Sequence, residues 1–482
     1  MKLAGMTRNL AMRVSTSTST LPAIARIFGL AVATLTTPSQ APAGDFLPET
    51  AIRLPNGDLQ PGYKHLLNNE YVPSQLDQEV FDNLWRAWEK PLREQAEKAT
   101  PEERRKMTLS RYGLTEAPGR EGGIPLQYSD NGHGGWVFNC FGCHGGKLEG
   151  KTIPGLPNTH IALETLFGEI VEAKKQIGRI IPQAEVGALL VPLGKSNGTT
   201  NAIIFGVVLG NYRDENLNVD LNRPAPKMIH HDHDAPPWWN VKRKTHLYAD
   251  GFAGTGHRAL MQFMMTPSNG PEVFHKAEDD FKEIYTWILA LEPPKYPHSI
   301  DQTLADKGRG IFNNNCAECH GTYGDGSAFP QKIVPLEVVG TDRARLDSLT
   351  PEMRHGYELS WFSNHGEKKS IADPGGYVAQ PLNGIWASAP YLHNGSVPTL
   401  WHLFHADKRP KVWQRTEDGY DYERGGLEIV EFDAVPAEAR TGKMRRTYFD
   451  TSMFGKSKEG HLFPDELTED EKVAVLEYLK TL

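Results

Sequence analysis

The chain has 482 residues, with Lys plus Arg 52, Asp plus Glu 60 and a formal net charge of -8; at about 100–200 residues per domain that is room for two or three domains. With no basic excess to neutralise phosphates, the charge balance excludes nucleic acid as a partner. Hydrophobic residues make up only 39%, against Gly 46 and Pro 34, a loop-rich composition in which a bulky apolar ligand would complete a sparse core.

Residues 1–43 read as a secretory signal. Lys2, Arg8 and Arg13 form a basic start, Ile27 to Leu35 is a short apolar run, and Ala41-Pro42-Ala43 offers a small-x-small cleavage site before Gly44. The run is far below the roughly 20 residues of a membrane-spanning helix, which weighs against an uncleaved anchor. The expectation is therefore a periplasmic or secreted protein with no membrane span after signal cleavage. Residues 44–130 form an N-terminal extension. In it, Leu76 to Glu89 carries Val80, Phe81, Leu84, Trp85 and Trp88 on one helical face, and Pro91 should end or kink that helix. Such an aromatic stripe is more often core than cofactor box, so the extension is expected to pack on the domain that follows it.

All four cysteines fall in two copies of one pattern, Cys140-Phe141-Gly142-Cys143-His144 and Cys316-Ala317-Glu318-Cys319-His320. C-x-x-C-H is the haem c attachment signature. Two residues between the thiols let one helical turn present both sulfurs to the vinyl groups of a single porphyrin, and the adjacent histidine reaches the iron from the same side. A pair of disulfides, a zinc site and a thioredoxin-like redox pair are the competing readings. A four-cysteine zinc site would leave both histidines unexplained, and a redox C-x-x-C needs no histidine next to it. The expected cofactors are two covalently bound haem c groups (iron), on Cys140, Cys143 and His144 and on Cys316, Cys319 and His320, with the two histidines as proximal ligands.

Between the motifs, Glu164, Glu169 and Glu172 fall on an expected surface helix, and Val186 to Arg213 contains no Asp or Glu, although Glu185 and Asp214 border it. His230-His231-Asp232-His233-Asp234 resembles a metal site only in composition. Adjacent side chains diverge, and Pro236-Pro237 follows, so a solvated loop is expected there. Gly256 to Met265 holds His257, Met261, Met264 and Met265, the candidates for a sixth ligand on the first haem, though methionines at helical spacing are usually core filler. Asp279 to Leu291 is an amphipathic helix closed by Pro293-Pro294, and the stretch to Ser299 reads as a linker. Residues 302–313 lead as a helix into the second motif. Asp325 and Asp342 lie in loops without calcium-ligand spacing. Leu467 to Leu482 is a closing helix with Thr468 as N-cap, Glu471 completing a capping box, and Val473, Val475, Leu476, Tyr478 and Leu479 as its apolar face.

The segment from Pro381 to Leu400, including Ala389-Pro-Tyr-Leu-His-Asn-Gly-Ser-Val-Pro-Thr-Leu-Trp401, resembles the signature after the second haem of di-haem cytochrome c peroxidases and their relatives. That superfamily includes the methylamine-dehydrogenase maturation enzyme and the rubber oxygenases. Arg409-Pro410, Phe449-Asp-Thr-Ser, Gly455-Lys-Ser-Lys-Glu-Gly-His461 and Pro236-Pro-Trp-Trp-Asn-Val-Lys-Arg-Lys244 look closest to the rubber-oxygenase branch. The likeness covers residues 130–482 in outline and is specific in those segments. It implies that the second haem has two protein ligands and stores or relays an electron, while the first has an open position where dioxygen or hydrogen peroxide reacts. It makes His461 the leading sixth ligand of the second haem, with His393 and Met453 as alternatives. It also implies that Phe263, Trp238 and Trp239 could line a pocket for a hydrophobic organic substrate, and that a tryptophan could stand between the haems. Peroxidases of this superfamily supply a glutamate well downstream of the first motif, and here the acid-free stretch 186–213 counts against one.

The expected fold is mainly α: two cytochrome c-type haem domains, 131–298 and 299–482, with long loops and few short strands. The expected function is a haem-dependent oxidoreductase activating dioxygen at the first haem. The alternatives are a peroxidase reducing hydrogen peroxide and a non-catalytic electron-transfer cytochrome with both irons closed. A small redox protein is the expected electron donor or acceptor.

Overall fold

Helices begin where the sequence supplies a cap. Thr100 and Glu103 form a capping box ahead of Pro101–Tyr112, and Gly113, at φ +65°, ends that helix. The Asp301 side chain accepts the Leu304 N–H at the start of Gln302–Asn315, and the Thr468–Glu471 capping box opens Glu469–Leu479, as the sequence predicts. The structure, a computed structural model, describes residues 46, 49–182, 185, 193–226 and 228–482; the segment read as a signal lies outside them. Residues 43–482 hold together as one unit. No helix among the described residues is long and apolar enough to cross a membrane.

Regular structure is mixed, about 40% helical and 13% strand, rather than mainly helical. The strand share exceeds expectation because of one hairpin, Val412–Asp421 antiparallel to Gly426–Phe432, with Phe449–Asp450 on its other edge. Val412 and Trp413 are buried while Glu417 and Asp418 are exposed, so only one end of the long strand faces the core. That mixture gives no clean alternation to read.

Around the first motif, Leu76–Asp77, Gly135–Phe138 and Tyr128–Asp130 form a three-stranded antiparallel sheet with Gly135–Phe138 in the centre. The aromatic stripe splits accordingly. A strand ends at Asp77, a helix runs Gln78–Asn83, and a 3-10 turn runs Leu84–Ala87. Val80, Phe81, Leu84 and Trp88 are buried, while Trp85 is only half-buried. Pro91 sits in the first turn of the next helix, Lys90–Lys98, where its missing N–H costs nothing.

Pro61–Asn68 crosses the long helix Pro271–Ala290, which starts eight residues before the expected Asp279 because Pro271 can open a helix. A Cβ at Gly62 would lie 2.6 Å from both the Glu283 carbonyl and Trp287 Cβ, so the crossing needs glycine. The lead-in helix Gln302–Asn315 crosses Glu469–Leu479 in the same way. There a Cβ on Gly308 would stand 1.9 Å from the Ala474 carbonyl oxygen. Val473, placed on the apolar face from sequence, is 53% exposed; Ala474, Val475, Tyr478 and Leu479 make the buried contact.

The helix Leu163–Gln176 is no surface helix. Glu169 is 0% exposed and accepts from Arg111 Nη2 at 2.7 Å, Arg111 Nε at 2.8 Å, Tyr112 Oη at 2.6 Å and Lys443 Nζ at 2.6 Å. It ties the 101–112 helix to the turn at Gly442–Arg445. Removing one partner of a buried charge network strands the others. Glu169→Ala is therefore expected to destabilise the fold by about 3–5 kcal/mol, read as a lower midpoint in urea unfolding.

Candidate functional site

The first motif is fixed by its neighbours. Phe141–His144 form one helical turn in which the Asn139 side chain accepts the Phe141 N–H at 2.9 Å and donates to the Leu66 and Leu126 carbonyls. In a turn of this kind residues i and i+3 share a face, so Cys140 and Cys143 can serve one group. Gly142 is required, because a Cβ there would lie 2.1 Å from the Phe138 ring. The His144 carbonyl accepts from Gly155 N–H at 2.7 Å and the Cys143 carbonyl from Asn158 N–H at 2.8 Å. The His144 ring stacks on Trp238, centroids 4.8 Å apart and planes at 30°. Trp238 continues into an aromatic cluster with Phe141 and Trp287. Burial pushes the His144 imidazole down to about 4. Its Nδ1 makes no hydrogen bond, although the Pro236 carbonyl lies near enough to oppose the shift.

The second motif is built differently. Gln302–Asn315 delivers Cys316, the turn Ala317–His320 follows, and Gly321 at φ +79° ends it. His320 Nδ1 lies 2.8 Å from the Gln380 carbonyl, so Nδ1 carries the proton and Nε2 is left bare for a metal. Facing it is His461, with ring centroids 6.1 Å apart. A metal–imidazole bond is about 2 Å long, which puts the centres of two imidazoles trans across one ion about 6 Å apart. The pair therefore has a spacing at which both rings could hold one iron. Burial, then the charges of His320 and Arg409, push His461 down to about 3; burial also lowers His320. A neutral imidazole is the form that ligates.

The loop bearing His461 is clamped. Arg409 Nη1 donates to the Lys458 carbonyl at 2.6 Å and the Gly460 carbonyl at 2.8 Å. The His461 N–H reaches the Val339 carbonyl at 2.6 Å, and His461 itself sits at φ +51°. His393, the alternative ligand, stacks on Tyr377 at 4.2 Å and lies 6.3 Å from the His233 ring. Met453 is 40% exposed. Neither alternative is brought to His320.

Among the described residues, no second imidazole faces His144. His257 pairs with Glu278 at 3.1 Å, while Met261, Met264 and Met265 are buried core residues. The expected apolar pocket of Phe263, Trp238 and Trp239 is not assembled. Phe263 is 49% exposed, Trp238 covers His144, and the buried Trp239 donates through Nε1 to the Asn383 carbonyl at 2.7 Å. The His230–Asp234 stretch is not a solvated loop either. His231 and Asp232 are 1% exposed and His233 is 5%, because Asp232 accepts from the Lys195 and Ser196 N–H groups and Thr199 Oγ1 and pairs with the buried Lys456 at 3.1 Å. The His231 and His233 rings come within 4.5 Å. No cluster of metal-holding side chains occurs among the described residues. Asp342 spends its carboxylate on the Ala344 and Ser457 N–H groups.

Sulfurs in both motifs are shielded. Burial pushes the Cys140 thiol up to about 12 and those of Cys143 and Cys316 up to about 11. The sequence pattern gave no sign of Gln380 as a support, since its role comes from a backbone carbonyl, and it put Trp238 in a substrate pocket rather than on the His144 ring.

Two family models match the chain. One, described as RoxA-like, cytochrome c-like, covers residues 376–414; the other, described as cytochrome c, covers residues 305–390 and so includes the second motif. Over those stretches the chain is similar to RoxA-like cytochrome c and to cytochrome c, and a cytochrome c domain implies covalently bound haem c in a haem-dependent redox protein. The uncharacterised protein y4iM of Sinorhizobium fredii is 31% identical over 203 residues, 37% of this chain and 44% of the relative. A second uncharacterised protein of that organism, y4iJ, is 29% identical over 261 residues, 40% of this chain and 42% of the relative. The chain thus spans less than half the length of each of these relatives.

Proposed function

We propose that the chain is an exported di-haem c-type cytochrome oxidoreductase that activates dioxygen at the haem of the first motif, with the haem of the second motif as electron-transfer and tuning centre. The observation that carries this reading is the asymmetry of the two histidines. His320 has the His461 imidazole 6.1 Å away, ring centre to ring centre, whereas the ring contact of His144 is with Trp238. Haem c supplies an iron that changes between ferric and ferrous states and, where one axial position is free, a place for a small oxidant to bind.

The chain's own residues divide the remaining work. His144 and His320 would hold the irons, with His320 oriented by the Gln380 carbonyl. Trp238 and Trp239 link the two sites, since Trp238 lies on His144 and Trp239 is bonded to Asn383, three residues from Gln380. O–O heterolysis of hydrogen peroxide needs a free proton-moving group beside the iron; the glutamates after the first motif are committed, which favours dioxygen, and the acid left available is Asp234, whose buried Oδ1 has no partner. Here Glu185 is held by Lys174 Nζ at 2.8 and 2.7 Å, Glu164 accepts the Leu193 N–H at 2.9 Å, and Glu169 sits in its buried network. A small redox protein is the electron partner in this reading.

The test is the spectrum of the fully reduced protein before and after carbon monoxide, which binds ferrous iron only at an open position. One haem of two is expected to shift. A protein in which neither shifts is an electron carrier with both irons closed.

A further inference from the structure

One cationic side chain in the interior has no use in the sites described so far. Arg345, on the short helix Ala344–Ser348, is 0% exposed. Its Nη2 donates to Asp250 Oδ1 at 2.8 Å, but its Nε and Nη1 have no partner. Each buried donor left unsatisfied costs about 1–3 kcal/mol, and more on a charged group, so an orphan pair in a native fold calls for an absent acceptor.

The local charge count points the same way. Asp250 also receives Arg354 Nη2, so two guanidiniums share one buried carboxylate. Arg354 satisfies its other nitrogens on the Leu349 carbonyl at 3.4 Å and the Ile371 carbonyl at 3.2 Å. Of the two, Arg345 is the one left short. The other acid within reach, Asp342, is committed to two backbone N–H groups. The remaining groups close enough to interact with Arg345 are His231, His233, His393, Tyr248 and Tyr377, and none of them is an anion at neutral pH. The interior is therefore one negative charge short around Arg345.

This buried group adjoins the second motif. Leu346, next to Arg345, and Ala249, next to Asp250, pack in the same apolar cluster as Cys319, Tyr377 and Val339, and the Val339 carbonyl accepts the His461 N–H.

We propose that Arg345 is the anchor for a carboxylate of the haem carried by Cys316 and Cys319. The haem's side-chain carboxylate supplies both the missing charge and the missing acceptor, and a charge-assisted bond to a buried guanidinium is among the stronger contacts a protein offers. Arg345 acts here as a positioning residue, fixing the porphyrin's orientation and holding a positive charge near its iron. The proposal rests on the reading that a haem sits at the second motif.

The experiment compares Arg345→Met, Arg345→Lys and Arg354→Lys by haem content, by resonance Raman of the haem carboxylate-bending band, and by separate redox titration of the two haems. Arg345→Met is expected to shift that band and lower the potential of the second haem, because loss of a nearby cation favours the ferric form; the first haem stays unmoved. Should that variant fail to fold, Arg345→Lys carries the test. It keeps a cation for Asp250, loses the free Nε and Nη1 donors, and still shifts the band. Arg354→Lys, which touches the same Asp250, leaves the band in place. Equal shifts in Arg345→Lys and Arg354→Lys would trace the effect to Asp250 and overturn the proposal, as would an unmoved band in both Arg345 variants. Absence of haem at Cys316 and Cys319 in the unaltered protein would instead sink the two-haem reading itself.

Discussion

Replacing His461 by alanine is expected to make the second haem reactive to carbon monoxide, doubling the gas bound per reduced chain from one equivalent to two. Among the described residues, the imidazole at 461 is the one whose ring lies near His320, 6.1 Å away, and no described neighbour is placed to substitute for it. His393 is held against Tyr377, and Met453 points from an exposed turn. The clamp of Arg409 on the Lys458 and Gly460 carbonyls does not depend on the imidazole, so the loop should keep its path and the gap should persist. His393→Ala and Met453→Ala serve as comparisons and are expected to leave the stoichiometry at one. The readout is titration of the reduced proteins with carbon monoxide while following the absorption bands. A His461→Ala protein still binding a single equivalent would remove His461 as a ligand.

The second large effect concerns the first motif. Cys140→Ser combined with Cys143→Ser is expected to halve the haem content, abolish carbon monoxide binding and reduce dioxygen consumption to background. The corresponding change at Cys316 and Cys319 also halves the haem content but spares the carbon-monoxide-reactive haem. Serine keeps the size and turn geometry of the Phe141–His144 segment while removing the thioether. Phe141, Trp238 and Trp287 form their cluster from ring contacts alone, so the surrounding core should survive. Mass spectrometry of the intact chains, together with the alkaline pyridine spectrum, counts the haems. If the first-motif variant kept the carbon-monoxide-reactive haem, the roles assigned to the two sites would have to be exchanged.

The two attachment motifs and the capped helices were legible from local pattern, because spacing and capping are properties of a few adjacent residues. His461 was reached only through resemblance. Its loop has no periodicity, and what makes it a candidate is its distance to a residue far back in the chain. Polar composition misled at two places. His231 to Asp234 and Glu169 look solvated in sequence, yet both are buried, because Lys456 on one side and Arg111, Tyr112 and Lys443 on the other neutralise them from distant segments. The 412–432 hairpin was missed for the opposite reason: its strand is buried at one end only. Arg345 shows the limit most plainly, since a lone arginine in a charged stretch gives no sign that it will be sealed inside with two donors free.

The raised thiols of Cys140, Cys143 and Cys316 carry a consequence for how this protein comes into being. Sulfur reacts as thiolate, and folding ahead of haem attachment would favour the thiol at these three positions through burial. Attachment and folding are thus rivals in time. A chain made from its N-terminus exposes both cysteine pairs well before the segment 461–479 has been produced to close over the second of them. The late arrival of that closing segment keeps a window open for the chemistry. A variant that collapsed sooner would be better folded and emptier.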